Sequence, residues 1–259
     1  MSTKHSATRA GGETRGPLQL LAGTSGFSYK EWCGEFYPLK LPAREMLAHY
    51  ARRLPTVEIN NTFYRLPTAA LLAGWRGQVA ETFRFAVKTP RRMTHVKRLK
   101  ECGDDLRTLL AALETLEPCL GPLLVQLPPF FKCDREVLAA FVAELPTGCR
   151  AAFEFRHESW FVSDVYDLLA SRNLPVVQSE EGAGFEPAPW TADWAYLRLR
   201  KVDYRDADLA VWLRRLQDAH LTTAYVYFKH EDAATGPKLA ARLLELAGRV
   251  NPGGRGSGP

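Results

Sequence analysis

The 259-residue chain lacks the features that would place it in several common functional classes. No apolar run is long enough to span a bilayer, and the N-terminal residues have no apolar core of the kind found in signal peptides. A Gly-x-Ser-x-Gly nucleophile elbow and a P-loop are both missing, and no Gly-x-Gly-x-x-Gly follows the first strand-like segment. These absences argue against a membrane protein, an α/β-hydrolase, a P-loop NTPase and a dinucleotide-binding fold.

Signatures of disulfide frameworks and metal sites are also missing. The five cysteines are scattered, odd in number and contain no Cys-x-x-Cys pair, which favours reduced thiols and a cytoplasmic location. No His-x-His or His-Glu-x-x-His spacing occurs. A divalent metal held by the histidines His95, His157 and His230 with nearby acids stays an alternative. The pattern favours a site without a metal, and it names no cofactor.

Positive charge is concentrated at the ends of the chain rather than in its body. The termini hold Lys4, Arg9, Arg15 and Arg255 against Glu13, which accounts for more than half of the net charge of +5. Global charge is therefore weak support for a nucleic-acid partner. Both ends are rich in Gly, Ser, Thr or Pro, so we expect disordered tails at 1–17 and 251–259 around a single folded domain at 18–250.

Eight strand-like segments follow one another along that domain, separated by mostly helical periodicity. Near-continuous apolar runs, as in the first segment, are typical of parallel strands that are covered on both faces. The eightfold alternation predicts an α/β (β/α)8 TIM barrel, with a short or missing helix after the sixth strand. The predicted strands are 18–26, 56–63, 83–89, 122–127, 151–156 (running into a loop at 157–160), 174–180, 194–200 and 222–230.

The C-terminal ends of these strands carry an unusual number of charged residues. In the segment AAFEFRHESW, strand alternation turns Glu154 and Arg156 to one face, and His157 follows where the strand ends. Because active sites of such barrels lie at the C-terminal ends of the strands, this face predicts a functional cavity. A buried polar network without a function is the alternative, and it would be costly.

The residue types at the strand ends indicate an anionic ligand. Cations outnumber acids there, and arginine forks suit phosphate or carboxylate groups. Glu154, Glu58 and His157 are the candidate acid/base residues. The candidate substrate-binding residues are Asn60, Tyr64, Lys88, His95, Gln126, Arg156, Trp160, Arg198, Arg200, Tyr227, Lys229, Tyr29 and Trp32.

A basic segment at 88–100 lies in the same region of the predicted barrel. It holds Arg91, Arg92, Lys97, Arg98 and Lys100 with no acid. One interpretation is a contact with a nucleic-acid backbone, supported by aromatic residues in the rim loops that could stack on bases. The other is a solvated surface loop with aromatics that pack the loops.

Several of these segments together resemble a known family. The stretches GTSGFSYKEWCGEFYP, TVEINNTFYRLP, KTPRRMTH, LGPLLVQLPP, EFRHESW and VYFKH are similar to the YecE-like domain-of-unknown-function-72 family. The resemblance spans roughly residues 20–248 and implies a TIM barrel with its site at the strand ends. It implies no reaction, because the function of the family is unassigned. Arg198-Leu-Arg200 and Phe228-Lys229-His230 depart from the patterns common in the family, and both departures add positive charge.

Three functions remain open from the sequence. The first is an enzyme, a hydrolase or lyase, that acts on a phosphate-containing small molecule or a nucleic acid. The second is a non-catalytic nucleic-acid-binding protein that uses the basic segment and the rim aromatics. The third is a metal-free sugar-phosphate isomerase or epimerase. No membrane partner is expected, and the sequence does not define the oligomeric state.

Overall fold

The computed structural model describes residues 16–180, 187–201, 203–229 and 232–250. The predicted tails lie outside these ranges, apart from residues 16 and 17, and so does His230. Within the described residues, no helix is both long enough and apolar enough to cross a membrane.

All eight predicted strands are present and run parallel in one sheet. The order of the strands in the sheet is β5-β4-β3-β2-β1-β8-β7-β6. The strands are β1 (Gln19–Ser25), β2 (Thr56–Ile59), β3 (Arg84–Lys88), β4 (Leu120–Gln126), β5 (Ala151–Glu154), β6 (Gln178–Ser179), β7 (Trp194–Leu199) and β8 (Thr223–Phe228).

The two ends of this sheet meet, so the sheet forms a nearly closed barrel. Phe153 on β5 donates its N–H to Pro175 O at 2.9 Å and accepts from Val177 N–H at 2.8 Å, just before β6. The predicted (β/α)8 TIM barrel is therefore confirmed.

Strand β6 is shorter than predicted. Pro175 has no N–H to donate, and Val176 donates its N–H to Thr191 Oγ1 at 3.0 Å rather than to a neighbouring strand. The same hydroxyl donates to Leu174 O at 2.7 Å. The Thr191 side chain thus replaces backbone pairing on one edge of the first half of the predicted strand, while Pro175 O and Val177 N–H pair with Phe153 on the other edge.

Helices cover the outside of the barrel as the apolar periodicity predicts. Asp134 Oδ1 accepts the N–H of Val137 at 3.1 Å and so caps the N-terminus of the helix that follows β4. The connection from β6 to β7 contains no helix in its described part, residues 187–193. The helices are α1 (Met46–Ala51), α2 (Ala69–Arg76), α3 (Gly103–Leu113), α4 (Arg135–Glu144), α5 (Ser163–Ser171), α6 (Asp206–Asp218) and α7 (Thr235–Val250).

Short helical turns directly after the strands build the rim at the C-terminal end of the barrel. They are three-residue 3-10 turns at Lys30–Trp32, Asn61–Phe63 and Glu158–Trp160, and one π-helical turn at Arg92–Val96. The predicted second strand therefore ends four residues early, at Ile59. π-Helical turns occur often at functional sites because they re-aim side chains.

The interior of the barrel changes from apolar to polar toward this rim. Its apolar layer consists of Leu21, Ala86, Leu124, Ala152, Val177, Trp194, Tyr196, Tyr225 and Tyr227. Above this layer the inward-facing residues include the charged side chains Glu58, Glu154 and Arg198, all almost completely buried. A barrel interior of this kind is normally filled with branched apolar residues. The charged layer is therefore unusual, and it is the part of the interior that indicates a functional site.

Candidate functional site

Arg198 on β7 is the centre of the charged layer. Its Nε and Nη2 donate to Glu58 Oε2 and Oε1 at 2.9 and 2.7 Å, and its Nη1 donates to Glu154 Oε2 at 2.7 Å. One guanidinium therefore bridges two carboxylates that lie on separate strands of the barrel. We call the C-terminal end of the barrel around this bridge the mouth; its residues are Glu58, Lys88, Gln126, Glu154, Arg156, Arg198 and Arg200.

Glu58 on β2 accepts a full set of hydrogen bonds. Besides Arg198, its donors are the Ser25 hydroxyl at 2.7 Å, the Asn60 side-chain amide at 3.0 Å and the Tyr196 hydroxyl at 2.8 Å. Burial acts to raise the pKa of Glu58, but Arg198 and the hydroxyl donors outweigh it and lower the pKa to about 2. A carboxylate that is fully occupied and this acidic is poorly suited to exchange a proton at neutral pH. The geometry therefore does not support the predicted acid/base role; Glu58 instead accepts two hydrogen bonds from the guanidinium of Arg198.

A chain of hydrogen bonds leads from Glu154 to Lys88. Glu154 Oε2 accepts from Gln126 Nε2 at 2.8 Å, and Gln126 Oε1 accepts from Lys88 Nζ at 2.8 Å. Glu154 is completely buried; burial acts to raise its pKa, but Arg198 and Arg156 outweigh it and hold the pKa below its usual value. Glu154 thus stays ionised, and it orients the amide that holds the lysine.

The Lys88 ammonium sits over an aromatic ring rather than beside a carboxylate. Its Nζ lies 4.1 Å from the centroid of Phe63 in the turn after β2. Burial and the charge of Arg198 lower the pKa of Lys88 to about 8, against the raising effect of Glu58 and Glu154. Lys88 is therefore the side chain in the mouth whose protonation changes nearest to neutral pH.

His95 on the π-helical turn completes this corner of the mouth. Its ring packs edge-on against Phe63 at a centroid distance of 4.9 Å, and its Nδ1 lies 2.9 Å from Thr94 Oγ1. Burial, followed by the charges of Lys88, Arg91 and Arg156, lowers the pKa of His95 to about 4. The imidazole is thus neutral at physiological pH, and positive charge surrounds it.

Arg156 lies at the outer edge of the mouth. Its Nε contacts Glu154 Oε1 at 3.3 Å, and its side chain is 29% exposed. With Glu154 it lines a cavity of about 310 Å³ that is also bounded by Pro129, Phe161 and Ser179. Arg200 lies near enough to lower the pKa of Glu154. These contacts bring seven of the predicted site residues together, namely those that define the mouth.

Three predicted ligand-binding aromatics are instead packed in the core. Trp160 is completely buried, stacks on Phe155 at 4.8 Å and donates its Nε1–H to Phe131 O at 2.7 Å. Trp32 is buried beside Tyr37, and the hydroxyl of Tyr227 lies 2.7 Å from Thr56 Oγ1 inside the barrel. Burial leaves these side chains no surface for a ligand, so the geometry does not support their predicted roles.

Other predicted residues lie on the rim but outside the charged layer. His157 Nδ1 accepts the N–H of Ser159 at 3.2 Å, which caps the turn after β5 and gives this candidate base a structural role. Tyr29 is half-buried and donates its hydroxyl to Ser25 O at 2.6 Å. Tyr64 and Lys229 are exposed, with 83% of Tyr64 accessible. Their contact with a ligand stays a prediction.

The basic segment is partly neutralised within the fold. Arg92 Nε and Lys97 Nζ contact the two carboxylate oxygens of Asp105 at 2.8 and 2.7 Å. Arg91, Arg98 and Lys100 are exposed. The sequence window contained no acid, but helix α3 brings Asp105 back against it.

Three contributors to the mouth were not among the predicted site residues. Tyr196 and Ser25 donate hydroxyl hydrogen bonds to Glu58, and Phe63 lies beneath Lys88. Tyr196 precedes Arg198 by two residues, so strand alternation alone indicated that both side chains lie on the same face of the strand. Phe63 was one of the aromatic residues of the predicted rim loops, but nothing local indicated that it would lie against Lys88.

No group of three or more His, Cys, Asp or Glu side chains within the described ranges is arranged to hold a metal ion. The carboxylates in the mouth instead face guanidinium, amide and hydroxyl donors. This donor set fits an ion-pair network.

A separate groove lies beside the mouth, between the loops after β1 and β2 and helix α2. Its volume is about 670 Å³, and it is lined mainly by apolar side chains that include Phe27, Leu47, Leu71 and Trp75. Asn60 connects the two regions, because it lines this groove and donates to Glu58.

Comparisons with known proteins identify the family. The model of the family described as "Protein of unknown function DUF72" matches residues 21–255. The UPF0759 protein YecE of Escherichia coli K12 is 28% identical over 230 residues, which cover 77% of this chain and 84% of that protein. The UPF0759 protein YunF of Bacillus subtilis is 30% identical over 147 residues, which cover 52% of this chain and 51% of that protein.

A solved structure agrees with these sequence matches. A DUF72 family protein from Thermotoga maritima superimposes with a TM-score of 0.75 at 26% identity, covering 88% of this chain and 98% of that one. The chain therefore belongs to the DUF72 family, as the sequence motifs predicted, and its relatives share its barrel.

Proposed function

We propose that this member of the DUF72 family is an enzyme that binds a phosphate-containing small molecule in the mouth of its barrel. The observation that carries the proposal is the charge balance of the mouth. The mouth holds four cationic side chains, those of Lys88, Arg156, Arg198 and Arg200, against only two carboxylates, those of Glu58 and Glu154. The low pKa values keep both carboxylates ionised, so a net positive charge remains at neutral pH.

A phosphate group fits this arrangement better than a neutral ligand does. A guanidinium offers paired N–H donors that match two phosphate oxygens, and an ammonium adds a compact charge. Burial is the main cause of the lowered pKa values of Lys88 and His95, and neighbouring cations lower them further; anion binding would relieve that second, repulsive contribution. Both the hydrogen bonds of the phosphate and the relief of that repulsion would therefore stabilise the complex.

The size of the cavity favours a small molecule over a polymer. The cavity beside Glu154 and Arg156 measures about 310 Å³, which is at the lower end of the range for small-molecule sites, roughly 300–1,000 Å³. A phosphorylated metabolite or one nucleotide unit fits this volume, whereas a duplex does not.

Among the reaction classes, the protonation states favour a lyase over a hydrolase. A hydrolase in the predicted form needs one protonated carboxyl group as a general acid. The pKa values of Glu58 and Glu154 are both lowered, so neither supplies that acid at neutral pH. The amine of Lys88 has a pKa of about 8 and is the group best placed to take up and release a proton.

A thermal-shift titration tests the anion site. Inorganic phosphate and pyrophosphate are added at constant ionic strength, with chloride as the reference. We expect Tm to rise with phosphate in the wild type and to rise much less in Arg156→Gln. The matched control is Arg135→Gln, because Arg135 forms a surface ion pair with Asp164 on the outside of the barrel. The proposal would be overturned if phosphate did not raise the Tm of the wild type more than chloride does. It would also be overturned if Arg156→Gln and Arg135→Gln lost the phosphate-dependent rise in Tm to the same extent.

Nucleic-acid binding is the second candidate function, and it has its own observation. Exposed Tyr64 and Arg91 line a groove of about 660 Å³ beside the π-helical turn, and this combination suits base stacking with a phosphate contact. Binding of a fluorescent single-stranded oligonucleotide would then fall steeply with salt and weaken in Tyr64→Ala. If binding depended neither on the salt concentration nor on Tyr64, this groove would be ruled out and the mouth would be the only proposed site.

A further inference from the structure

We propose that the ε-amino group of Lys88 is a nucleophile that forms an imine with the carbonyl group of a phosphorylated aldehyde or ketone. This inference rests on the proposed function, because the cations of the mouth would hold the phosphate of that ligand. It adds the substrate class and the reacting atom. Neither the sequence motifs nor the comparisons assign such a role to the lysine.

The first support is the identity of the group that holds the amine. Lys88 Nζ donates to Gln126 Oε1 at 2.8 Å, and Gln126 is a neutral amide. A carboxylate at that position would stabilise the ammonium form and suppress nucleophilicity. The amide fixes the position of the nitrogen without adding negative charge.

The second support is that the orientation of this amide is determined by its other contact. Gln126 Nε2 donates to Glu154 Oε2 at 2.8 Å, and that oxygen also accepts from Arg198 Nη1 at 2.7 Å. The amide nitrogen must therefore face the carboxylate, so the amide oxygen must face Lys88. The two buried strands β4 and β5 thus keep the amine in one place, as an imine-forming lysine requires.

The third support is the surroundings of the nitrogen. The centroid of the Phe63 ring lies 4.1 Å from Nζ, and the imidazole of His95 packs against the same ring at a centroid distance of 4.9 Å. The imidazole of His95 is neutral at physiological pH because its pKa is about 4. A partly desolvated position and a cationic neighbour both activate lysine as a nucleophile; burial supplies the first for Lys88, and the charge of Arg198 supplies the second.

The chemistry is balanced without any additional reactant. The neutral amine attacks the carbonyl carbon, an N–C bond forms, and the π electrons of the C=O bond move to the oxygen. One proton moves from nitrogen to that oxygen, giving a carbinolamine. Loss of water then forms the C=N bond of the imine, so that one amine and one carbonyl give one imine and one water.

The lowered pKa supplies a quantitative expectation. With a pKa of about 8, a far larger fraction of Lys88 is neutral at pH 7.5 than of an ordinary lysine; the ratio is on the order of 100. Lower basicity reduces the nucleophilicity of each neutral amine, so we expect a net rate advantage of about tenfold or more.

Pyridoxal 5′-phosphate is the probe, because it is a phosphorylated aldehyde whose imine is visible by absorbance. The wild-type protein is mixed with the probe, reduced with borohydride at short times and mapped by peptide mass spectrometry. We expect Lys88 to be modified about tenfold faster than the exposed Lys132 of the same molecule, with half-maximal rate near pH 8. Inorganic phosphate should slow the reaction of Lys88 and leave that of Lys132 unchanged.

Two variants complete the design. Lys88→Arg keeps the charge but has no primary amine, so it should lose the rapid phase, whereas Lys132→Arg should keep it. Should Lys88→Arg fail to fold, the comparison of two lysines within the wild-type protein still decides the question. Unphosphorylated pyridoxal should react with Lys88 more slowly than the phosphorylated probe does.

The failure of this inference is distinguishable from the failure of the proposed function. A phosphate-dependent rise in Tm without preferential modification of Lys88 would overturn the imine and leave the anion site intact. Preferential modification that phosphate does not slow would overturn the link between the two. Equal modification of Lys88 and Lys132, with no response of Tm to phosphate, would overturn both.

Discussion

Arg198 and Glu58 form a buried two-point ion pair, in which Nε donates to Oε2 at 2.9 Å and Nη2 donates to Oε1 at 2.7 Å. The side chains are only 3% and 0% exposed, and they lie on β7 and β2. The third donor of Arg198 reaches Glu154 on β5. One guanidinium thus joins three strands that are far apart in the sequence. Its removal should therefore lower the free energy of unfolding more than any other substitution in the mouth.

We expect Arg198→Met to lower the free energy of unfolding by about 3–5 kcal/mol, because it leaves two ionised carboxylates buried without their cation. Urea unfolding at pH 7 measures the loss. The double variant Arg198→Met, Glu58→Gln should recover part of it, since one of the stranded charges is then absent. Arg135→Met serves as the control, because its ion pair with Asp164 is exposed and should contribute less than about 1 kcal/mol. A loss no larger than in this control would contradict the structural role of Arg198.

The acid limb of the stability curve should depend on Glu58. Its pKa is about 2 in the folded protein, below the usual value of 4.5. The folded state therefore binds fewer protons than the unfolded state between these values, so the stability that Glu58 contributes is complete above pH 4.5 and is lost as the pH falls toward 2.

Urea unfolding between pH 5 and pH 2.5 should thus show a shallower decline in Glu58→Gln than in the wild type. Glu35→Gln is the matched control, because the pKa of Glu35 is also lowered but by the exposed Lys238 pair. Equal slopes in the wild type and Glu58→Gln would show that the buried carboxylate does not titrate as the geometry requires.

Strand alternation was sufficient to predict the fold and the inward direction of the charged residues. Glu154 ends β5 and Arg156 follows it by two residues, Tyr196 and Arg198 are two apart on β7, and all four face the mouth or the barrel interior. A period of two is a local property, so it can be read from ten residues. The barrel itself was predicted from a different regularity, the eightfold alternation of strand-like and helical segments.

The pairing partners could not be predicted, because they depend on long-range closure of the barrel. Glu58 and Arg198 are 140 positions apart, and nothing local indicates that they meet. For the same reason the window at 88–100 was interpreted without Asp105, which helix α3 returns to it. The aromatic-rich loops were a third such case, since composition does not separate a ring that packs a loop from one that faces a ligand.

Trp160 is the clearest case of such a ring. We expect Trp160→Phe to lower the free energy of unfolding by about 1–3 kcal/mol, since it removes the hydrogen bond to Phe131 O and leaves a buried carbonyl without its donor. Phosphate affinity, measured by calorimetry, should not change, whereas Arg156→Gln should reduce it with little effect on stability. A selective loss of phosphate affinity in Trp160→Phe would restore the original prediction that this residue binds the ligand.

His95 offers a direct view of the charge in the mouth. Its pKa of about 4 reflects burial first and then Lys88, Arg91 and Arg156. Below its usual value of 6.5 the unfolded state therefore binds more protons than the folded state, so the contribution of His95 to stability falls as the pH drops from 6.5 to 4. Proton NMR of the imidazole should locate the midpoint near pH 4 in the free protein.

A bound anion should move this midpoint upward, because its negative charge offsets that of the neighbouring cations. We expect saturating phosphate to raise the pKa of His95 by about one unit or more, and the same phosphate to leave His49 unchanged. The pKa of His49 on helix α1 is also lowered, but the causes are burial and the charge of Arg53, which lies just past the C-terminal end of that helix. Lys88→Met should raise the pKa of His95 in the absence of phosphate and reduce its further response. An equal shift of both histidines would mean that phosphate acts through general ionic screening, and it would remove the mouth as the place where the anion binds.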